Sequence, residues 1–305
     1  MKIHHALPEG LRPPCVVAIG FFDGFHLGHR AIVQTLLEMR APGERSAILT
    51  FENHPAAFLR PGTEPPLIAT LDERVNAFAR AGIDEAFVIP FDASVASLGP
   101  SAFLDDMLIA RIGARGLVVG ANFRFGAKRA GDVEFAAQQL AQRGVRFAAV
   151  DNTLDDGERV SSTRVRAAIA AADFESADRL LGAAYSLRGP VALGFGRGHD
   201  LGFPTANIVV PHAKLLPPDG VYRIVARHDG REYMGLVSIG TNPTFEGTHR
   251  TVEAWLLDFH GSLYGEEVAL RDFRFVRGQQ RFESVDALLE QMRADAALVR
   301  FPSFR

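Results

Sequence analysis

The sequence predicts an α/β amino-terminal half, built on a parallel sheet with helices on both faces, followed by a small antiparallel β-barrel that ends in one helix. Two observations carry this expectation. Up to about residue 185, short apolar runs alternate with stretches of helical periodicity, the pattern of successive βαβ units. Beyond Tyr185 the chain becomes a series of short strands punctuated by Gly and Pro, with a single amphipathic stretch near its end.

In chain order, strands are expected near 15–20, 46–51, 86–89, 117–120 and 146–150, separated by helices near 28–40, 71–81, 101–112 and 133–143. Thr70 with Glu73 forms a capping box that starts the second of these helices. Helical stretches near 162–171 and 173–181 close this half. The barrel strands are expected near 188–193, 207–210, 220–228, 232–239, 251–259 and 267–275, and the final helix uses Val285, Leu288, Leu289 and Met292. The boundary falls in the short junction at 182–187, giving domains 1–184 and 185–305.

Composition narrows the function class. A chain of 305 residues with 47% hydrophobic content can fill two cores. A lone cysteine, Cys15, lies in an apolar strand and forms no intramolecular disulfide, which fits a cytoplasmic setting. The start, MKIHHALPEG, lacks an apolar signal region, and no stretch approaches the ~20 apolar residues of a membrane span. A net charge of −3 argues against general nucleic-acid binding.

Residues 20–29 read GFFDGFHLGH, directly before a helical pattern in which Ile32, Val33, Leu36 and Leu37 share one face. His26 and His29 are three apart, so both project to one side of the first turn. The unpaired N–H groups and positive dipole end of that helix form an anion site for phosphates. Gly20, Gly24 and Gly28 admit close backbone approach there, with Phe21 and Asp23 in the same turn. No GxxxxGK[ST] or GxGxxG pattern follows the first strand, which sets aside P-loop and dinucleotide-binding readings. Two histidines alone could also face solvent or bind metal, so neighbouring segments decide.

Three such segments leave strand ends, where ligands lie in open α/β sheets. TFENHP, with Asn53 and His54, ends the second strand; GANFRFG, with Asn122 and Phe123, ends the fourth. Ser161, Ser162 and Thr163 bring hydroxyls to a helix N-terminus, and Arg166 adds a planar fork for phosphate oxygens. Each residue singly has an ordinary structural reading as a cap, a turn or a surface charge.

The second half has its own constellation. GFGRGHDLGFPTAN at 194–207 is a glycine-rich turn whose amides at Gly194, Gly196 and Gly198 can cradle phosphates. Thr205 and Asn207 supply oxygens of the kind magnesium accepts. In the strand VEAWLLDF at 252–259, period two puts Glu253 on one face with Trp255, Leu257 and Phe259. A carboxylate among such groups is costly unless used or paired. It serves as a general base, or else pairs with an arginine such as Arg223 or Arg250.

With FDGFHLGH, NFRFG and SSTRVR in the first half, and LGFPTAN, DGVY at 219–222, IGTNPTF at 239–245 and VEAWLLDF in the second, the chain resembles the prokaryotic bifunctional riboflavin kinase/FMN adenylyltransferase family over nearly its whole length. The resemblance implies a nucleotidyltransferase-type sheet that turns ATP and FMN into FAD and pyrophosphate, and a barrel that turns ATP and riboflavin into FMN and ADP. It implies Mg²⁺ at both sites, with Thr205 and Asn207 as ligands in the barrel and Glu253 as base. His26 and His29 would act at the α-phosphate, while Asn53, Asn122, Phe123 and Arg277 would contact flavin or other ligand groups. The implied partners are small molecules, neither nucleic acid nor membrane.

Four positions depart from the family pattern. Asn53 stands for a usual proline, His199 for arginine, Trp255 for histidine and Gln279 for glutamate. Two other readings stay open from sequence: a noncatalytic flavin-binding protein on the same fold, and an HxGH nucleotidyltransferase acting on a different phosphate.

Overall fold

A computed structural model of the chain describes residues 1–10, 12–192, 204–244 and 247–300. It contains two compact units, Met1–Ser162 and Thr163–Arg305.

The first unit holds a six-stranded, all-parallel sheet. Its strands are β1 (Lys2–His4), β2 (Cys15–Ile19), β3 (Arg45–Phe51), β4 (Glu85–Ile89), β5 (Ala114–Gly120) and β6 (Arg146–Val150), in the order β1-β4-β3-β2-β5-β6. Because β2 is buried on both faces, its alternating side chains feed two cores. Val17 and Ile19 join one with Leu49, Leu104 and Leu140. Val16 and Ala18 join the other with Leu36 and Phe78. The covering helices include α1 (Leu27–Met39), α2 (Pro55–Leu59) and α3 (Leu71–Arg80), which begins with the expected Thr70–Glu73 capping box. After the short turns α4 (Ala93–Ala96) and α5 (Pro100–Ala102), Phe103–Ile112 is wound as a π-helix rather than an α-helix. α6 (Val133–Gln142) and the small hairpin β7 (Leu154–Asp155) and β8 (Glu158–Arg159) complete the unit. β1 and this hairpin are too short to leave a periodic signal in the sequence.

The strand order reverses direction between β2 and β5, the switch point at which open α/β sheets bind ligands beyond the strands' carboxyl ends. The HxGH turn leaves β2 at this point, and Asn122 follows β5.

In the second unit, α7 (Ser162–Ala170) and α8 (Phe174–Leu181) lead into a closed antiparallel barrel. Its strands are β9 (Ser186–Ala192), β10 (Ala206–Ile208), β11 (Gly220–His228), β12 (Arg231–Thr244), β13 (Gly247–Leu256) and β14 (Glu267–Arg277), and α9 (Val285–Arg300) follows. The β11–β12 turn is Asp229-Gly230, both at positive φ, as a two-residue hairpin requires.

The expected boundary at 184/185 differs from the division after Ser162. Phe174 of α8 packs against the barrel, with ring centroids 5.3 Å from Phe273 and 5.8 Å from Tyr222. Asp178 accepts the Tyr185 N–H at 2.7 Å. Helical periodicity marked this stretch as helix, but only packing decides which core it serves.

Candidate active sites

The loop after β2 adopts a backbone that side chains rarely favour: Phe22 lies at φ 56° and Phe25 at φ 45°. His26 caps α1 rather than lying on it, and its Nδ1 accepts the His29 N–H at 3.3 Å. In a neutral ring that bond leaves Nε2 to carry the proton. The His29 ring stacks on His26 at 3.7 Å between centroids and meets Phe22 edge-on at 5.1 Å. Burial, and then the neighbouring His26, hold the His29 imidazole well below its ordinary range, so it is neutral at pH 7. Gly28 leaves the stack uncrowded: a Cβ there would stand 3.2 Å from His26 Cε1 and push that ring by a few tenths of an ångström. Gly20 likewise leaves room for the Phe22 ring, and Gly24 takes φ 79°. The Ser162 hydroxyl, at the end of the first unit, donates to the Asp23 carbonyl at 3.0 Å. Ser161 precedes it, and Thr163 and Arg166 follow on α7.

Two residues expected at ligands are engaged within the fold. The buried Asp23 carboxylate accepts the N–H groups of Ile68 at 3.1 Å and Ala69 at 2.9 Å, so it anchors the segment before α3 rather than facing a phosphate. The Asn53 amide clasps the Phe91 backbone, donating to its carbonyl at 3.0 Å and accepting its N–H at 2.8 Å. A proline side chain offers neither bond, so this departure from the family pattern creates a tie between the ends of β3 and β4. Asn122 is exposed and donates to Asn152 Oδ1 at 2.7 Å, while Phe123 stacks on Phe125.

Sequence reasoning missed Arg74. Its side chain is fully buried, with Nη1 bonded to the Phe21 carbonyl at 2.8 Å and Thr50 Oγ1 at 3.0 Å, and Nη2 to the Phe51 carbonyl at 3.0 Å. Its guanidinium lies 4.1 Å from the Phe21 ring, whose edge meets His54 at 4.7 Å. Burial lowers its pKa to about 10, an effect opposed by Asp23, and it stays charged at pH 7. The available signal was an arginine four residues before Phe78, on the apolar face of α3.

In the barrel, Glu253 stands directly across from Asn207 of β10 and Ser238 of β12, and its Oε1 accepts the Thr251 hydroxyl at 3.3 Å. Val252, Ala254 and Leu256 are buried, and the half-buried Glu253 and Trp255 alternate with them on the outer face. Trp255 packs there with Leu236 and with Ala296 and Val299 of α9. The strand ends at Leu256; Leu257 still packs with Trp255, Leu236, Ala296 and Val299, as expected, whereas Phe259 lies beyond the strand and lines the cavity beside Thr205. Arg250 pairs with Asp219 at 2.7 Å. The half-buried Thr205 lines a cavity of about 220 Å³ together with Pro204, Phe259 and Tyr264.

Gln279 lies over β12, its amide donating to the Ile239 carbonyl at 3.1 Å and to Ser238 Oγ at 3.4 Å. A Cβ at Gly240 would collide with that amide. An ionised glutamate could donate neither bond, so this departure too has a structural use. Arg277, expected at the flavin, is held in a two-pronged pair with the buried Asp295 of α9, at 2.8 and 2.9 Å. Gly194, Gly196, Gly198 and His199 lie outside the described residues.

Residues 9–164 match the family model for FAD synthetase, and residues 181–301 match that for riboflavin kinase. This chain belongs to the bifunctional riboflavin kinase/FMN adenylyltransferase family. A relative of that name from Pseudomonas fluorescens is 36% identical, with 98% of this chain and 95% of the relative covered. Another from Listeria monocytogenes is 34% identical, covering 92% and 90%. A crystal structure described as a macrolide-efflux protein from Streptococcus pneumoniae is similar in fold, with TM-score 0.87 and 29% identity over 98% of this chain and 99% of that one. Efflux is said of that protein; among the described residues here, no helix is long and apolar enough to cross a membrane. The enzyme of this family phosphorylates riboflavin to FMN with ATP and adenylylates FMN to FAD, releasing pyrophosphate.

Proposed function

We propose that the two reactions are divided between the halves, adenylyl transfer at the HxGH turn of the sheet and riboflavin phosphorylation on the outer face of the barrel. The observation that carries this reading is that each unit holds a constellation of its own, the stacked His26–His29 pair at the switch point in one and Glu253 across from Asn207 in the other.

In adenylyl transfer an FMN phosphate oxygen attacks the α-phosphorus and pyrophosphate leaves, so no protein nucleophile is needed. His26 presents Nε2–H to charge growing on phosphate oxygens, and His29 fixes the ring by stacking and by its own N–H. Amides around Phe21, Gly24 and Gly28, with Ser161 and Ser162, bind the phosphates, and Thr163 and Arg166 are assigned to phosphate from sequence. The Gly20 N–H is taken by the Leu49 carbonyl at 3.2 Å, so Gly20 gives the turn room rather than a donor. Asn122 and Phe123 contribute to ligand binding. Asn53 acts indirectly, by holding the Phe91 backbone.

In the kinase, Glu253 takes the proton of the ribityl hydroxyl as that oxygen attacks the γ-phosphorus and ADP leaves. The oxygens of Thr205 and Asn207 suit Mg²⁺, a hard ion that prefers such donors, and Asn207 stands beside the base across the strand pair. When bound, Mg²⁺ neutralises phosphate charge and orients the transferred group. The cavity beside Thr205 accommodates part of the nucleotide, and Gly194, Gly196 and Gly198 are assigned to phosphate from sequence. Arg277 serves by holding α9 rather than by touching flavin. We place the enzyme in the cytoplasm with small molecules as partners, in keeping with one buried free cysteine.

The test is the double variant His26→Ala/His29→Ala. FAD formation from FMN should fall by about 10²-fold or more while riboflavin phosphorylation persists. Near-normal adenylyl transfer in the folded variant would make the pair bystanders.

A further inference from the structure

We infer that Arg74 is a positioning residue for adenylyl transfer: its buried guanidinium turns the peptide units after β2 and β3 so that their N–H groups face away from it, toward the phosphates. The inference rests on the reading of the HxGH turn as the adenylyl-transfer site.

The guanidinium fork divides its bonds. Nη1 reaches the Phe21 carbonyl at 2.8 Å and Nη2 the Phe51 carbonyl at 3.0 Å, with the Glu52 carbonyl at 3.5 Å. One cation therefore ties together the carboxyl ends of two adjacent parallel strands. In a planar trans peptide, C=O and the following N–H point in opposite directions. Holding the Phe21 and Glu52 carbonyls toward Arg74 therefore aims the Phe22 and Asn53 N–H groups the other way. Neither N–H is taken by a protein acceptor among the described residues. The Phe51 peptide behaves differently, since the Glu52 N–H is used by the Ile89 carbonyl at 2.9 Å and joins β3 to β4.

Phe22 is held in the left-handed region at φ 56°, a conformation that a bulky residue keeps only when its surroundings impose it. Two partners reinforce Arg74 in doing so. Thr50 Oγ1 accepts from Nη1 and donates to the Phe21 carbonyl at 3.3 Å, and the guanidinium stacks on the Phe21 ring. The cation also adds positive potential beneath a turn that receives polyphosphate. An ammonium carries charge but lacks the planar fork that holds two carbonyls in two directions.

The test uses the full chain and Arg74→Lys. With circular dichroism showing it folded, kcat for FAD formation should fall at least about tenfold, because oriented donors act on charge that develops in the transition state. KM for FMN should change less than about threefold, and riboflavin kinase activity in the same preparation should stay within about twofold. A folded Arg74→Lys enzyme with kcat near that of the parent overturns the inference, since it would reduce Arg74 to a buried charge that lysine replaces. Should that variant not fold, Thr50→Val removes the second hold on the Phe21 carbonyl at nearly constant volume. Its kcat should drop about threefold or more, and an unchanged kcat in this folded variant overturns the inference equally. Intact FAD synthesis in the His26→Ala/His29→Ala enzyme would instead sink the underlying site reading, whatever Arg74 does.

Discussion

Glu253→Gln separates proton transfer from every other task of that side chain. The amide keeps the volume, and its oxygen can still accept the Thr251 hydroxyl now bonded at 3.3 Å. Glu253 is half-buried on the outer face, so its neutralisation should change stability by no more than about 1 kcal/mol, roughly 2–4 °C in melting temperature for a unit of this size. Losing a general base costs about 10²–10⁴ in rate, or about 3–5 kcal/mol of barrier. The assay supplies riboflavin, ATP and Mg²⁺, separates the flavins chromatographically, and measures FMN-to-FAD conversion and melting on the same preparation. Kinase turnover should collapse while FAD synthesis from supplied FMN continues. A folded Gln variant within about threefold of parental kinase turnover would refute the assignment. A lower melting temperature with turnover preserved below it would make Glu253 a structural ion-pair partner instead.

Gly28→Ala places a methyl 3.2 Å from His26 Cε1 and should lower FAD formation about tenfold without touching the kinase, as initial rates on FMN and on riboflavin will report. A fragment beginning at residue 163 should melt at least about 10 °C above one beginning at 185, because the shorter piece loses Phe174 from the Tyr222–Phe273 ring cluster; differential scanning calorimetry decides. His29 has a folded pKa depressed below its unfolded value near 6.5, so the unfolded chain binds the extra proton first. Its contribution to stability is fully present above that value and declines as pH falls below it, so melting temperature should drop between pH 7 and 5.5, and less steeply in His29→Gln. EDTA should abolish both products and excess Mg²⁺ restore them, as chromatography of the same mixture shows.

The alternation of apolar runs and helical periods was enough for the architecture, because burying β2 on two faces and the barrel strands on one leaves a period in the side chains themselves. Motif spacing singled out His26 and His29, and a period of two put Glu253 and Trp255 on one strand face, but that His26 caps α1 and stacks on His29 was decided only by the folded backbone. Departures from the family pattern at Asn53 and Gln279 were visible in the sequence, but their uses were not. Asn53 bonds a backbone 38 residues away and Gln279 one 40 residues away. Arg74 was hidden for the same reason: its acceptors are main-chain carbonyls, which carry no residue identity, so nothing in the string of letters reveals them. Asp23 and Arg277 looked like ligand groups until folding brought Ile68, Ala69 and Asp295 to them. Local periodicity is written residue by residue, whereas the partner of a buried charge is chosen only when distant segments meet and water is excluded, and there an unpaired charge costs more than the fold can bear.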